Sequence, residues 1–178
     1  LTWSALLVAC CAMAPAPPHS SPRAHRTIQV SPGKPLERPS QAAAVVKDGD
    51  IVEISAVKYT GDVAVWTANG LTLRGVNGRP HLEAGGASAQ QKAIWVIRGT
   101  NTIVENMEFS GAIVPDRNGA GIRQEGSGLI VRSSYFHDNQ EGILTGNNPN
   151  SDITIEGSEF TDNGYGDGFS HNIYIGGA

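Results

Sequence analysis

The sequence predicts an all-β solenoid of stacked parallel coils, and three observations carry that expectation. From Asp50 onward the chain is a succession of short β-branched runs, "DIVEI", "LTLRG", "IWVIRG", "NTIVENMEF", "GLIVRSSYF", "DITIEGSEF" and "NIYIGG", cut by Gly, Asn and Asp. Three segments repeat one another: "IVENMEFSG", "IVRSSYFHDN" and "TIEGSEFTDN". They align Val104, Val131 and Ile155, then Asn106, Ser133 and Gly157, then Phe109, Phe136 and Phe160, with the phenylalanines 27 and 24 residues apart. A second motif follows in constant phase, "AGIRQEG", "EGILTG" and "HNIYIGG", aligning Ile122, Ile143 and Ile173. Repeats of this length made only of strand and turn are rungs of a solenoid. Hairpins would need paired strands on two- to five-residue loops and would not hold two alternating motifs in phase.

Composition agrees. The 178 residues include 22 glycines, while Phe, Trp and Tyr together make up 6%, which suits many tight turns rather than a helical bundle with bulky centres. Charged residues are 17% and the net charge is −4, so the basic face of a nucleic-acid binder is missing and no nucleic-acid partner is expected.

Residues 1–20, "LTWSALLVACCAMAPAPPHS", form an apolar run that breaks into Pro and Ala, as in an export signal without its basic start. The protein is therefore expected to be exported, whether periplasmic, extracellular or lipid-anchored. Ala12-Met13-Ala14 offers small residues for cleavage, and Leu7-Val8-Ala9-Cys10 is a lipobox-like alternative in which Cys10 would carry lipid. A membrane partner is expected only through that anchor. Both cysteines, Cys10 and Cys11, lie in this leader, so the rest of the chain has neither a disulfide nor a thiolate metal site. Residues 21–39 read as a Pro/Ser-rich linker or extended arm. Residues 40–178 read as the solenoid, opening with a short helix capped by Ser40 and running to about Lys47. "AIWVIRG" supplies an earlier copy of the second motif through Ile94, and "LTLRG" an earlier copy of the first through Leu73. Asn139 and Asn163, each three residues past a Phe, mark one corner, where Asn tolerates left-handed backbone. The ending on "NIYIGGA" predicts a solenoid that continues beyond Ala178.

With "DGDIVEI", "NGAGIR", "FHDNQEGI" and "HNIYIG" in place, residues 45–178 resemble the right-handed, single-stranded parallel β-helix proteins of the pectate-lyase-like superfamily. The nearest resemblance is to exported bacterial members without an assigned enzyme activity. Such proteins commonly carry Gly-x-Tyr soon after the first strand, where this chain reads "SAVKYTG", so the turn at residues 56–58 departs from the pattern. The resemblance implies a carbohydrate-active protein, with polysaccharide lyases and uronate epimerases as the relevant chemistry.

Side chains alternate along a strand. If Ile94, Ile122, Ile143 and Ile173 point inward, then Trp95, Arg123, Leu144 and Tyr174 stack outward. Sugar rings stack on Trp or Tyr and Arg grips a uronate carboxylate, so Trp95, Arg123 and Tyr174 are the candidate polysaccharide-binding residues; packing under a long loop is the alternative. Removing the proton α to a sugar carboxylate needs a cation on the carboxylate and a base. The candidates are Arg123 or Arg117 for the first, His171 or His137 for the second, with Tyr174 nearby. His171 stands at a strand entrance, where a structural role is equally open. Asp138, Asp162 and Asp167 are candidate Ca²⁺ ligands, or the carboxylate pair of a glycoside hydrolase, against the plainer reading that Asp favours turns. Glu105, Glu108, Glu156 and Glu159 read as solubilising. A non-catalytic surface, adhesin-like or scaffold solenoid is the alternative to any enzyme.

Overall fold

A computed structural model describes residues 25–149, 151–166 and 168–176. The leader with Cys10, and Asp167, lie outside the described residues. The chain is a right-handed parallel β-solenoid of about six turns with little helix. A first strand β1 (Thr27–Val30) and a one-turn helix α1 (Pro39–Ala43) precede five coils of three strands each. The first coil holds β2 (Ile51–Ser55), β3 (Lys58–Thr60) and β4 (Ala64–Trp66); the second holds β5 (Thr72–Val76), β6 (His81–Glu83) and β7 (Ala93–Ile97). The third is β8 (Ile103–Glu105), β9 (Glu108–Ser110) and β10 (Ala120–Gln124). The fourth is β11 (Leu129–Arg132), β12 (Tyr135–His137) and β13 (Glu141–Thr145), and the fifth β14 (Ile153–Glu156), β15 (Glu159–Thr161) and β16 (Ile173–Tyr174).

Equivalent strands of successive coils pair in parallel and make three sheets. Sheet A runs β1-β2-β5-β8-β11-β14, sheet B β3-β6-β9-β12-β15 and sheet C β4-β7-β10-β13-β16. The aligned residues of the repeat are partners in space. Val52, Leu73, Val104, Val131 and Ile155 form one inward column of sheet A. Tyr59, Leu82, Phe109, Phe136 and Phe160 form that of sheet B. Phe109, Phe136 and Phe160 stack with centroids 5.0 and 4.8 Å apart and planes within 10°. One in-register coil repeat thus superposes identical side chains, which is why the phenylalanine spacing in the sequence equals the coil length there.

Four local expectations change. Strand β1 lies inside the stretch read as linker; its Ile28 and Val30 are buried above Val52 and Ile54, so the alternating "TIQV" opens sheet A. The helix begins at Pro39 with Arg38 at its N-cap, and Gln41 accepts hydrogen bonds from the Glu37 and Arg38 N–H groups. Ser40 instead donates its hydroxyl to Asp62, a buried carboxylate at the edge of the first coil. The corner asparagines are not left-handed. That backbone belongs to the residue before each, Asp138 (φ 55°) and Asp162 (φ 51°). At the departure from the family pattern, Val57 N–H bonds Ser55 C=O at 2.8 Å and closes the turn without glycine.

The asparagines instead build an amide ladder inside the corner. Asn139 donates through Nδ2 to the Phe109 carbonyl at 3.1 Å and to Asn163 Oδ1 at 2.9 Å, and its Oδ1 accepts from Ala112 N–H at 3.0 Å. Asn163 continues to the Phe136 carbonyl and to Asn172 Oδ1, at 2.8 and 2.9 Å. On the outer face of sheet A, Glu53, Arg74, Glu105, Arg132 and Glu156 stack with alternating sign, so Glu105 and Glu156 belong to a charge ladder. Arg74–Glu53 and Arg132–Glu156 close at 2.6 and 2.9 Å. Such exposed pairs contribute about 0–1 kcal/mol each and mainly favour correct register. No helix among the described residues is long and apolar enough to cross a membrane.

Candidate functional site

The outer face of sheet C carries part of the predicted ladder, with one correction. The register sets Ile122 against Trp95 and Arg123 against Val96, so Trp95 lies in the inward column. It is fully buried, edge-on to Trp66 at 5.2 Å and to Phe109 at 5.0 Å. The alignment through Ile94 was one residue out of phase, and a slip of one turns every side chain to the other face. Gly121 explains the ambiguity. A Cβ there would meet Phe136 Cδ1 at 2.8 Å, so this position points inward beside Ile122. Gly142 repeats the arrangement against Phe160 in the next coil. Strands β7, β10 and β13 therefore turn two successive positions inward, and in β7 these are Ile94 and Trp95, both fully buried.

The true outward column is Val65, Val96, Arg123, Leu144 and Tyr174. Val65 and Val96 pack with Ala89, Ala93, Ala120 and Leu144, so the loop carrying Ala89 covers the first half of the column. Beyond that cover a cleft of about 340 Å³ opens, lined by Asn118, Arg123, Glu141, Leu144, Tyr174 and the exposed Phe169, among others. Arg123 Nε is buried there and has no hydrogen-bond partner among the described residues. Glu141, buried on β13, accepts the His171 backbone N–H through Oε2 at 3.0 Å, and its Oε1 lies 3.8 Å from His171 Nδ1. The His171 ring is tilted against Tyr174 with centroids 5.4 Å apart. Arg123 and Tyr174 thus line one cleft with Glu141, and His171 stands beside it against Tyr174 and Glu141.

The other candidates lie elsewhere. Arg117 is exposed in the loop before β10, where its φ is 59°, and it is its neighbour Asn118 that lines the cleft. His137 is on the outer face of sheet B, so it does not share a face with Arg123. Asp138 and Asp162 are exposed at equivalent corners of successive coils, and Asp138 is bonded to His137.

Sheet B brings together a group that the sequence reading passed over. Its outer face holds two columns, Lys58, His81, Glu108, Tyr135 and Glu159, and Thr60, Glu83, Ser110, His137 and Thr161. His81 Nδ1 is 3.4 Å from Glu108 Oε1, and His137 Nε2 is 3.2 Å from the same oxygen. His81 Nε2 meets Ser110 Oγ at 2.7 Å, and His137 Nδ1 meets Asp138 Oδ2 at 2.6 Å. Tyr135 stacks on His137 with centroids 4.4 Å apart. Burial pushes the His81 pKa below the ordinary histidine value; Glu108 opposes that shift, while Lys58 and His137 add to it. Glu108 is therefore a member of this cluster and not a mere solubilising residue. The signal was present in the spacing. Counting 27 back from Phe109 lands on Leu82, which places His81 under Glu108 and Ser110 under His137.

A family model described as a right handed beta helix region matches residues 38–175. No curated protein and no solved structure matched the chain. With its parallel register, its three sheets and a match over most of its length, the chain belongs to the right-handed β-helix family.

Proposed function

We propose that this protein is exported and binds acidic polysaccharide along the outer face of sheet C, where it acts on the uronate as a lyase or epimerase. The observation that carries the reading is the cleft in which Arg123 and Tyr174 occupy one outward column with His171 and Glu141 beside them. The apolar run at the start of the sequence supports export. The exposed Tyr174 and Phe169 offer apolar surface to the faces of sugar rings, and Arg123 offers a guanidinium to a carboxylate. The buried Arg123 Nε has no partner among the described residues, so the protein does not saturate this guanidinium, which lines the cleft where a uronate carboxylate would bind.

The chemistry follows from the same groups. Arg123 on the carboxylate neutralises the charge that builds when the α C–H bond breaks and its electrons move into the carboxylate. His171, whose backbone N–H is held by Glu141 and whose Nδ1 lies 3.8 Å from that carboxylate, takes that proton as base. Expulsion of the neighbouring glycosidic oxygen then gives a lyase, and return of a proton to the opposite face gives an epimerase.

The test is calorimetric binding to uronate polymers and neutral glucans, together with ultraviolet absorbance of the unsaturated uronate and product stereochemistry by NMR. Arg123→Ala is expected to weaken uronate binding about 10- to 100-fold, the worth of a charged hydrogen bond. His171→Ala is expected to bind and not turn over. Trp95→Phe is expected to lose about 1 kcal/mol of stability and keep wild-type binding, because its ring is inside the core. Undiminished binding by Arg123→Ala, or no preference for uronate over glucan, removes the reading.

A further inference from the structure

The His81–Glu108–His137 group on sheet B lies on a different face from the proposed glycan cleft and is independent of it. One ligand atom from each of the three residues lies within 4.8 Å of the others, and His81 Nδ1 and His137 Nε2 both face Glu108 Oε1. The hydrogen-bond count at His137 does not close with a neutral ring. A neutral imidazole has one N–H, and His137 stands between two carboxylates, Asp138 at 2.6 Å and Glu108 at 3.2 Å. If its proton is on Nδ1, the bond to Asp138 is made and Nε2 turns a lone pair on Glu108. If the proton is on Nε2, the lone pair meets Asp138 instead. His81 is freer, because Ser110 Oγ at 2.7 Å either donates to Nε2, with Nδ1–H toward Glu108 at 3.4 Å, or accepts from Nε2–H, with the Nδ1 lone pair toward Glu108. With each ring donating to its outer partner, two nitrogen lone pairs and a carboxylate oxygen converge, and a cation among them satisfies all three.

We propose that His81, Glu108 and His137 form a binding site for a first-row divalent cation of the Zn²⁺ class, ligated through His81 Nδ1, His137 Nε2 and a Glu108 carboxylate oxygen. Tetrahedral ligands at about 2.0–2.1 Å from a metal are about 3.3–3.4 Å apart. The two nitrogen–oxygen separations, 3.2 and 3.4 Å, already match that edge. Ser110 and Asp138 hold the outer ring nitrogens, the arrangement that sets the tautomer and aims the ring of a metal-bound histidine. Two imidazoles exclude Ca²⁺ and Mg²⁺, which take oxygen. Three protein ligands on an outward face leave a position for water or a substrate oxygen, as in catalytic rather than structural sites. Lys58, the nearest cation, is engaged with Glu83 at 2.7 Å.

The test uses the whole purified chain, stripped with chelator and titrated with Zn²⁺ alone by calorimetry, with Co²⁺ as a visible-absorption probe. One Zn²⁺ per chain is expected, displaced competitively by Co²⁺ with ligand-field bands of nitrogen–oxygen coordination, and with Ca²⁺ unable to compete. His81→Ala, His137→Ala and Glu108→Gln are each expected to weaken Zn²⁺ at least tenfold; Asp138→Asn, which touches the metal only through His137, about tenfold. Glu108→Gln keeps the side chain's shape, so its loss with an unchanged circular dichroism spectrum separates ligation from folding. His171→Ala is expected to bind Zn²⁺ as the wild type does. Absence of saturable Zn²⁺ binding, indifference to the His81, His137 and Glu108 variants, or loss on His171→Ala instead, overturns the proposal. Such a failure leaves the Arg123 cleft untouched, because the uronate assays read a different face.

Discussion

Replacing Phe136 with alanine is expected to lower the unfolding free energy by about 3–5 kcal/mol, read as a drop in the urea midpoint at constant slope. Phe136 is fully buried and is the middle ring of the stack, 5.0 Å from Phe109 and 4.8 Å from Phe160. Its removal leaves a void bounded above and below by rings that cannot both close on it, because each is held in register by its own coil. Gly121 also packs here, its Cα facing the Phe136 ring, so collapse from sheet C is limited by backbone. Phe160→Ala is the internal comparison. Phe160 is half-buried and has a ring partner on one side only among the described residues, so its loss should be clearly smaller. Equal losses at the two positions would show that the stack does not act as a column.

Asn139→Asp is expected to cost a similar amount, about 3–5 kcal/mol at neutral pH, for an electrostatic reason. Asn139 is 1% exposed and its amide nitrogen donates to the Phe109 carbonyl and to Asn163 Oδ1. The exchange keeps shape but sets a buried carboxylate oxygen against two acceptors. Burial favours the protonated acid, so the folded chain holds that proton to a higher pH than the unfolded one. The deficit is therefore full above the folded-state pKa and shrinks as pH falls and the acid regains a donor. Denaturation of variant and wild type across acid to neutral pH checks it. A deficit that stays constant over that range, or falls below 1 kcal/mol at neutral pH, would contradict a continuous amide ladder. Asn163→Asp, half-buried, should show the same sign with a smaller size.

The parts of the fold legible in the sequence are those where each coil repeats the last. The Val104, Val131 and Ile155 column and the phenylalanine stack follow from spacing, because parallel in-register stacking puts like upon like. Trp95 was misplaced where the repeat degenerates. Gly121 and Gly142 stand in the inward position that Ile94 fills in the earlier coil, and glycine has no side chain to reveal which way it faces. Strand β1 was hidden among prolines and serines, its four residues too few for periodicity to distinguish from a linker.

The cleft was half legible. Arg123, Leu144 and Tyr174 follow from alternation once the inward isoleucines are known, whereas Glu141 takes its place beside His171 only when coils four and five are stacked. His81 and Glu108 are one 27-residue coil apart, but His81 lies outside the aligned repeats and Glu108 reads within "IVENMEFSG" as a surface carboxylate, so the pair does not stand out. By itself the sequence determined the coil, its length and the inward residues wherever the repeat is intact, since burial and period are local properties of each strand. The tertiary structure alone decided which outward residues meet, because that depends on the register between coils, where one residue more or less in a loop exchanges every neighbour.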